Sequence, residues 1–155
     1  MLELLKKYLD LKGWHYSKMK GKTVFLFGIS GENGRFDCII DLDEEQERMV
    51  FFSIFGVNTP EPKRQNMSEL ITRLNFLFIA GNLEMDYNDG EVRFKTSFFY
   101  ETLKPTFESL DNIILRNIMT MDISLPSITS AMFEEKTPIE ILQSNKDLAI
   151  NFTEK

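Results

Sequence analysis

NTPEPKRQNMSELITRLNFLFIAGNLEMDYNDGEVRF, residues 58–94, is the stretch that decides the fold. Its first half carries apolar residues at helical spacing, and its second half alternates apolar and polar residues around an Asn-Asp-Gly turn. This order predicts a helix followed by a β-hairpin. The stretch shows no nucleophile motif, metal-ligand spacing or phosphate loop, so it indicates a binding surface more readily than an active site.

The ends of this helix are marked by residues that start or stop helices. Pro60 or Pro62 fits the first turn, where a missing N–H costs nothing, and Thr59 is a plausible N-cap. Gly81 is the predicted stop. Between them one apolar stripe is formed by Met67, Leu70, Ile71, Leu74, Leu77 and Phe78.

The hairpin is predicted from a period of two on both sides of the turn. Leu83, Met85 and Tyr87 alternate into the turn, and the residues that alternate out of it begin at Val92. The turn Asn88-Asp89-Gly90 suits backbone conformations with positive φ.

The N-terminal third predicts one helix and an antiparallel meander. Apolar residues at helical spacing fill the first eleven positions, and Gly13 would end that helix. The period then shifts towards two, which predicts strands at 14–19, 22–30, 35–42 and 48–56. The second and fourth of these are apolar on both sides and need cover on two faces.

The C-terminal third predicts a long helix after Lys104-Pro105. Its apolar stripe would cover the sheet and consists of Leu103, Phe107, Leu110, Ile114, Ile118 and Met121. Pro126 either breaks this helix or lies in the first turn of a second one capped by Ser124. The stretch 137–140, TPIE, is typical of a capped terminal helix, and we expect the tail beyond Asn145 to fray. The whole chain, 1–155, is expected to form one α+β domain.

Composition narrows the classes of function. A formal net charge of -6 disfavours nucleic-acid binding, which needs a concentrated positive surface. A single cysteine cannot form an internal disulfide, and we find no export signal and no apolar run of about 20 residues that would insert into a membrane. We therefore expect a cytoplasmic protein.

The sequence contains no motif that specifically indicates a catalytic, phosphate-binding or metal-binding site. Gly28, Gly31 and Gly34 lie between two strands, which favours a hairpin loop over a phosphate loop, and a Ser-His-acid site would have to use the only histidine, His15. The acidic run 41–47 lacks the glycine of an EF-hand loop, and Cys38 alternates with core residues. We expect no catalytic residue, cofactor or metal. The alternative is a small enzyme, or a ligand- or metal-binding domain, that uses the acidic turns and aromatic strands.

Several apolar residues lie off the predicted core stripes. Phe76 points away from the stripe of its helix, with Ile79 nearby, and Leu115 and Met119 leave the stripe of the later helix. Such residues are either wrapped by the domain, isolated on the surface, or part of an interface. Our hypothesis is an interface with a protein partner or a second copy, formed by Phe76, Ile79, Phe51, Phe52, Leu115 and Met119.

An ordered set of residues also carries a family resemblance: Trp14, Pro60-Glu61, Arg64, Leu74-Asn75, GNLEMD at 81–86 and DGEVRF at 89–94, then Asp122, Pro126 and TPIE at 137–140. This order resembles the YbjN family. The resemblance implies a fold similar to that of type III secretion chaperones, with a bent antiparallel sheet and an N-terminal, a central and a long C-terminal helix packed on it. It further implies a homodimer that binds protein segments without catalysis, as a chaperone or a regulator of sensory transduction.

Overall fold

The computed structural model describes residues 1–145 and Leu148. Within that part the chain forms four α-helices and six β-strands. In chain order these are α1 Leu2–Leu11, β1 Ser17–Lys18, β2 Val24–Ser30, β3 Arg35–Asp43, β4 Arg48–Phe55, α2 Arg64–Leu77, β5 Asn82–Met85, β6 Val92–Phe99, α3 Phe107–Phe133 and α4 Pro138–Ser144.

The strands form one antiparallel sheet in the order β1-β2-β3-β4-β6-β5. The predicted meander is confirmed for β2, β3 and β4. The strand predicted over 14–19 is shortened to two residues, because the backbone N–H of Trp14 donates to the carbonyl of Leu9 at 3.2 Å and closes the end of α1. Gly13 adopts φ 67° there and ends the helix, as predicted.

The start and end of α2 differ from the prediction. A 3-10 turn at Glu61–Lys63 precedes the α-helix, and no cap bond is formed by Thr59, whose hydroxyl is buried without a partner. Thr59 is instead used through its backbone, which donates to the carbonyl of Gly90 at 2.7 Å. At the other end α2 stops at Leu77, and Phe78 is already extended, so the helix ends before Gly81, which has φ 79° further along the loop.

The predicted hairpin is confirmed as β5 and β6. Of the three turn residues only Gly90 has positive φ, because Asp86 and Asp89 hold the turn by accepting from the backbone N–H groups two residues ahead. Gly90 is also required sterically, since an added Cβ would overlap the carbonyl of Thr59.

Helix α3 runs unbroken through Pro126, so neither of the two predicted alternatives holds. Pro126 lacks one backbone N–H, but Leu125 and Ile128 on either side of it are buried, and this burial keeps the helix continuous. Thr106 caps the start, which places Leu103 outside the helix and in solvent, contrary to prediction. Ser124 caps nothing and donates to the carbonyl of Thr120.

All four helices contribute to one hydrophobic core against one face of the sheet. Helix α4 begins with the predicted capping box of Thr137 and Glu140. The predicted fraying beyond Asn145 falls outside the described residues, apart from Leu148, which is buried.

Candidate protein-binding groove

Helix α3 is fixed on the sheet by a buried polar network around Asn117. Its side-chain oxygen accepts from the hydroxyl of Ser53 at 2.6 Å, and its nitrogen donates to the hydroxyl of Thr96 at 3.0 Å and to the carbonyl of Phe51 at 3.2 Å. Asn117 is fully buried, so these bonds replace the water that its amide lost. The network sets the rotation of α3 about its own axis.

Two carboxylates hold α3 further along its length. Asp111 pairs with Lys12 at 2.5 Å and accepts from the hydroxyl of Tyr8 at 3.0 Å. Asp122 accepts from the backbone N–H groups of Glu32 and Asn33 in the β2–β3 turn, at 3.1 and 3.0 Å. The side of α3 that faces away from the sheet is therefore presented in a fixed orientation.

The loop between α2 and β5 is positioned just as firmly. The amide of Asn75 donates to the carbonyl of Leu83 at 2.9 Å and accepts from its N–H at 2.8 Å, which joins the end of α2 to β5. Phe78 packs edge-on against Phe94, and Gly81 has φ 79° with no room for a Cβ beside Phe94. Between these anchors Ile79 and Ala80 are left exposed at the loop tip.

An open groove of about 770 Å³ lies between this loop and α3. We call it the α3 groove. Three of the residues predicted for an interface, Ile79, Leu115 and Met119, meet in it. Ile79 is 78% exposed and Met119 is 64% exposed, while Leu115 is half-buried. The remaining lining residues are Phe78, Ala80, Asp111, Asn112, Arg116, Thr120 and Ile123.

The charges in the α3 groove are unequal. Hydrogen bonding from Lys12, together with that from Tyr8, holds the pKa of Asp111 below its usual value, so this carboxylate is ionised and already neutralised. Burial and the bond to Asp111 raise the pKa of Tyr8, which stays a neutral donor. Arg116 is exposed and forms no ion pair within residues 1–145. The uncompensated charge of the groove is therefore positive.

The other predicted interface residues lie elsewhere. Phe76 is 90% exposed on α2 but does not line the groove. Phe51 is 0% exposed and belongs to the core, so its assignment to a surface is wrong. The error arose because both faces of β4 are apolar, and the sequence alone does not say which one the helices cover. Phe52 points to the opposite face of the sheet and is half-buried.

That opposite face carries an apolar row with charges beside it. The register aligns Leu26, Ile39 and Phe52, which are half-buried and lie outside the core cluster of the described residues. The next row aligns Asp37 on β3 with Ile54 on β4 and Arg93 on β6. We call this surface the open sheet face.

Apart from His15, which is exposed, the groups considered for catalysis or metal binding have structural roles. The backbone N–H groups that a phosphate would need in the β2–β3 turn are taken by Asp122. Asp43 accepts from the N–H groups of Glu45 and Gln46 in the acidic turn. Burial raises the pKa of the Cys38 thiol to about 12, which keeps it protonated. No cluster of three metal-ligating side chains occurs among the residues that the structure describes.

Sequence reasoning missed Asn117 and Arg116. A signal existed for Asn117, because it follows Ile114 by three positions and precedes Met121 by four on the predicted apolar stripe. A polar residue on such a stripe indicates a buried hydrogen-bonding role. Arg116 gave no such signal, since an arginine on the outer side of a helix is ordinary.

Comparison with known proteins finds similar solved structures but no matching family. No family model and no curated protein matches the sequence. The solved structure of YbjN from E. coli, a proposed transcription regulator, is similar with a TM-score of 0.62 and 13% identity, over 81% of this chain and 88% of that one. The ExsC-ExsE complex is similar with a TM-score of 0.51 and 14% identity, over 80% of this chain and 90% of that one.

These similarities confirm the predicted fold class. The chain is an α+β protein with the chaperone-like fold of YbjN and ExsC, as its resemblance to the YbjN family implied. At such low identity the likeness shows the fold alone. Within the described residues we find no helix that is both long and apolar enough to span a membrane.

Proposed function

We propose that this protein is a non-enzymatic binding module that takes an apolar segment of another protein into the α3 groove, as a chaperone or a signalling regulator does. The observation that carries the proposal is the convergence of Ile79, Leu115 and Met119, from two separate segments, on one groove. Contiguous exposed apolar surface of this kind marks binding sites for partners. The groove is also held rigidly, which lowers the entropic cost of binding.

Two further observations support this function. The ExsC-ExsE structure, which has the same fold, is a complex. The groups of this chain that a phosphate loop or an acidic metal site would use are engaged in turns and helix ties. We also propose that the binding takes place in the cytoplasm, with which a single buried and unpaired thiol is compatible.

Selection of peptides from a displayed random library against the immobilised full chain tests the function. We expect the selected apolar peptides to lose at least about tenfold in affinity for Ile79→Asp and Met119→Asp, because anchor residues dominate such interfaces. Leu11→Asp is the matched control, since Leu11 is 65% exposed but lies on α1, outside the groove. Peptides that bind all three variants equally would refute the assignment of the groove.

We also propose that the protein forms a homodimer through the open sheet face. β3 and β6 flank β4 on either side, so a two-fold axis along β4 would place Asp37 of one copy opposite Arg93 of the other. Phe52 would meet its own counterpart near that axis. Arg93 already pairs with Glu84 and stacks on Phe52, so it is pre-oriented on this surface.

A charge swap measured by sedimentation equilibrium tests this dimer. We expect Asp37→Arg and Arg93→Asp each to weaken self-association, because each places like charges opposite one another. The double variant restores opposite charges and should recover the dimer. A wild-type protein that is monomeric throughout, or a double variant no better than either single one, would rule the arrangement out.

A further inference from the structure

The shape of the α3 groove limits what can lie in it. Seven of its lining residues come from α3. One is Asp111, and the other six recur at the spacing of one helical face from Asn112 to Ile123: Asn112, Leu115, Arg116, Met119, Thr120 and Ile123. Eleven residue steps along a helix cover about 16 Å, which is about three turns. The groove therefore matches the length of a short helix that packs along α3.

A helical occupant suits the backbone groups of the groove better than an extended one. The N–H and C=O groups of α3 are used within the helix, so this wall offers no ladder to an extended segment. A helix satisfies its own backbone and presents only side chains. The two edges of the sheet, where an extended segment could add as a strand, are formed by β1 and β5, and neither strand lines the groove.

The charge of the groove selects the occupant further. Asp111 is already paired with Lys12, whereas Arg116 has no carboxylate partner within residues 1–145. The chain as a whole carries a net charge of -6, yet this groove presents a positive charge next to apolar side chains. Beyond about 8 Å physiological salt screens the overall charge, so the contact with Arg116 dominates.

We propose that the α3 groove binds an amphipathic α-helix of about three turns that carries an acidic residue beside its apolar stripe, so as to pair with Arg116. The proposal rests on the proposed function and names the class of partner for the same groove. Leu115, Met119 and Ile79 contact the apolar stripe of that helix.

Three synthetic peptides of one length test the proposal by fluorescence anisotropy against the full chain. The first has leucines at helical spacing with flanking glutamates, the second has lysines in place of the glutamates, and the third is the first with two central prolines that prevent a helix. We expect the first to bind at least about tenfold tighter than the second or third, and Met119→Asp to lose it. Arg116→Glu should reverse the preference between glutamate and lysine.

Arg73→Glu is the matched control for charge. It changes the net charge by the same amount, but Arg73 is an exposed residue of α2 that pairs with Glu69 outside the groove. The preference for the glutamate peptide should survive in this variant. If Arg73→Glu reverses the preference as Arg116→Glu does, the selectivity comes from overall charge and the proposed pairing is wrong.

The remaining outcomes separate this proposal from the proposed function. If the proline peptide binds as tightly as the first and still depends on Met119, the groove binds protein segments but the helical partner is refuted. If no peptide binds, or binding is indifferent to Met119→Asp, both proposals fail. A groove filled by a second copy would appear as self-association that Met119→Asp abolishes, which overturns the inference as well.

Discussion

Met119 and Met121 lie two positions apart on α3, and they show how differently the two sides of one helix are used. Met121 is fully buried against the sheet, beside the hydrogen-bonded Asn117. Met119 is 64% exposed in the α3 groove. Apolar content therefore does not identify the core side of this helix. The core side is identified by the buried hydrogen bonds of Asn117, because a buried amide without partners would cost free energy.

The difference also explains how the outer side can serve as a binding surface. The inner side is tied to the sheet by Asn117, and Asp111 and Asp122 tie the helix to α1 and the β2–β3 turn. With its orientation fixed from within, α3 can present Leu115 and Met119 without rearrangement. One side of the helix supplies stability, and the other supplies a preformed contact.

Replacing Asn117 by alanine should have the largest effect. The change removes the partner of Ser53 and Thr96 and leaves a small cavity, so we expect a loss of about 4 kcal/mol in the free energy of unfolding. Urea unfolding followed by circular dichroism measures it. Asn112→Ala, on the exposed side of the same helix, should change the value by less than about 0.5 kcal/mol. A loss below about 1 kcal/mol for Asn117→Ala would show that the network does not hold α3.

The methionine pair tests the comparison directly. Met121→Ala should lower the free energy of unfolding by about 3 kcal/mol, as expected for a buried methionine that leaves a cavity. Met119→Ala should lower it by less than about 0.5 kcal/mol and should instead weaken peptide binding. Similar losses for the two variants would mean that the outer side of α3 belongs to the core. The two sides of α3 would then not differ in their contribution to stability.

The sequence predicted most of the elements because their patterns are local. The stripe on α2, the alternation around the turn at 88–90 and the capping box at Thr137 each depend on residues a few positions apart. Helix α3 was predicted for the same reason. Its passage through Pro126 was not, because the burial of Leu125 and Ile128 depends on distant partners.

The candidate site was predicted only in part for a similar reason. Helical spacing alone indicated that Phe76, Leu115 and Met119 leave their stripes. It gave no sign that Ile79 meets the latter two across the α3 groove, because that depends on the loop held by Asn75 and Leu83. The same limit produced the error at Phe51, where the choice of covered face is set by the packing of the helices.

The tie between Asp122 and the β2–β3 turn can be broken from either side. A Cβ on Gly31 would overlap the carboxylate of Asp122, so Gly31→Ala should cost about 2 kcal/mol as those hydrogen bonds are lost. In an Asp122→Ala background the same change should cost less than about 0.5 kcal/mol. A double-mutant cycle from urea unfolding measures this coupling. If Gly31→Ala lowers the free energy of unfolding equally in both backgrounds, it acts on the turn itself and not through Asp122.

The tie between Asp111 and Lys12 should give the smallest effect, and it is recognisable by its pH dependence. The lowered pKa of Asp111 means that its stabilisation is fully present above the unfolded value of about 3.9 and is lost as the pH falls through the lower folded value. Asp111→Asn should therefore lower the urea midpoint at pH 7, and the size of this loss should fall as the pH is lowered below about 3.9. In a Lys12→Met background, Asp111→Asn should change the urea midpoint less, because the hydrogen bond from Lys12 is the main cause of the lowered pKa of Asp111. A difference that stays constant as the pH falls would assign the loss to packing around Tyr8, and the charged tie would then contribute nothing to the orientation of α3.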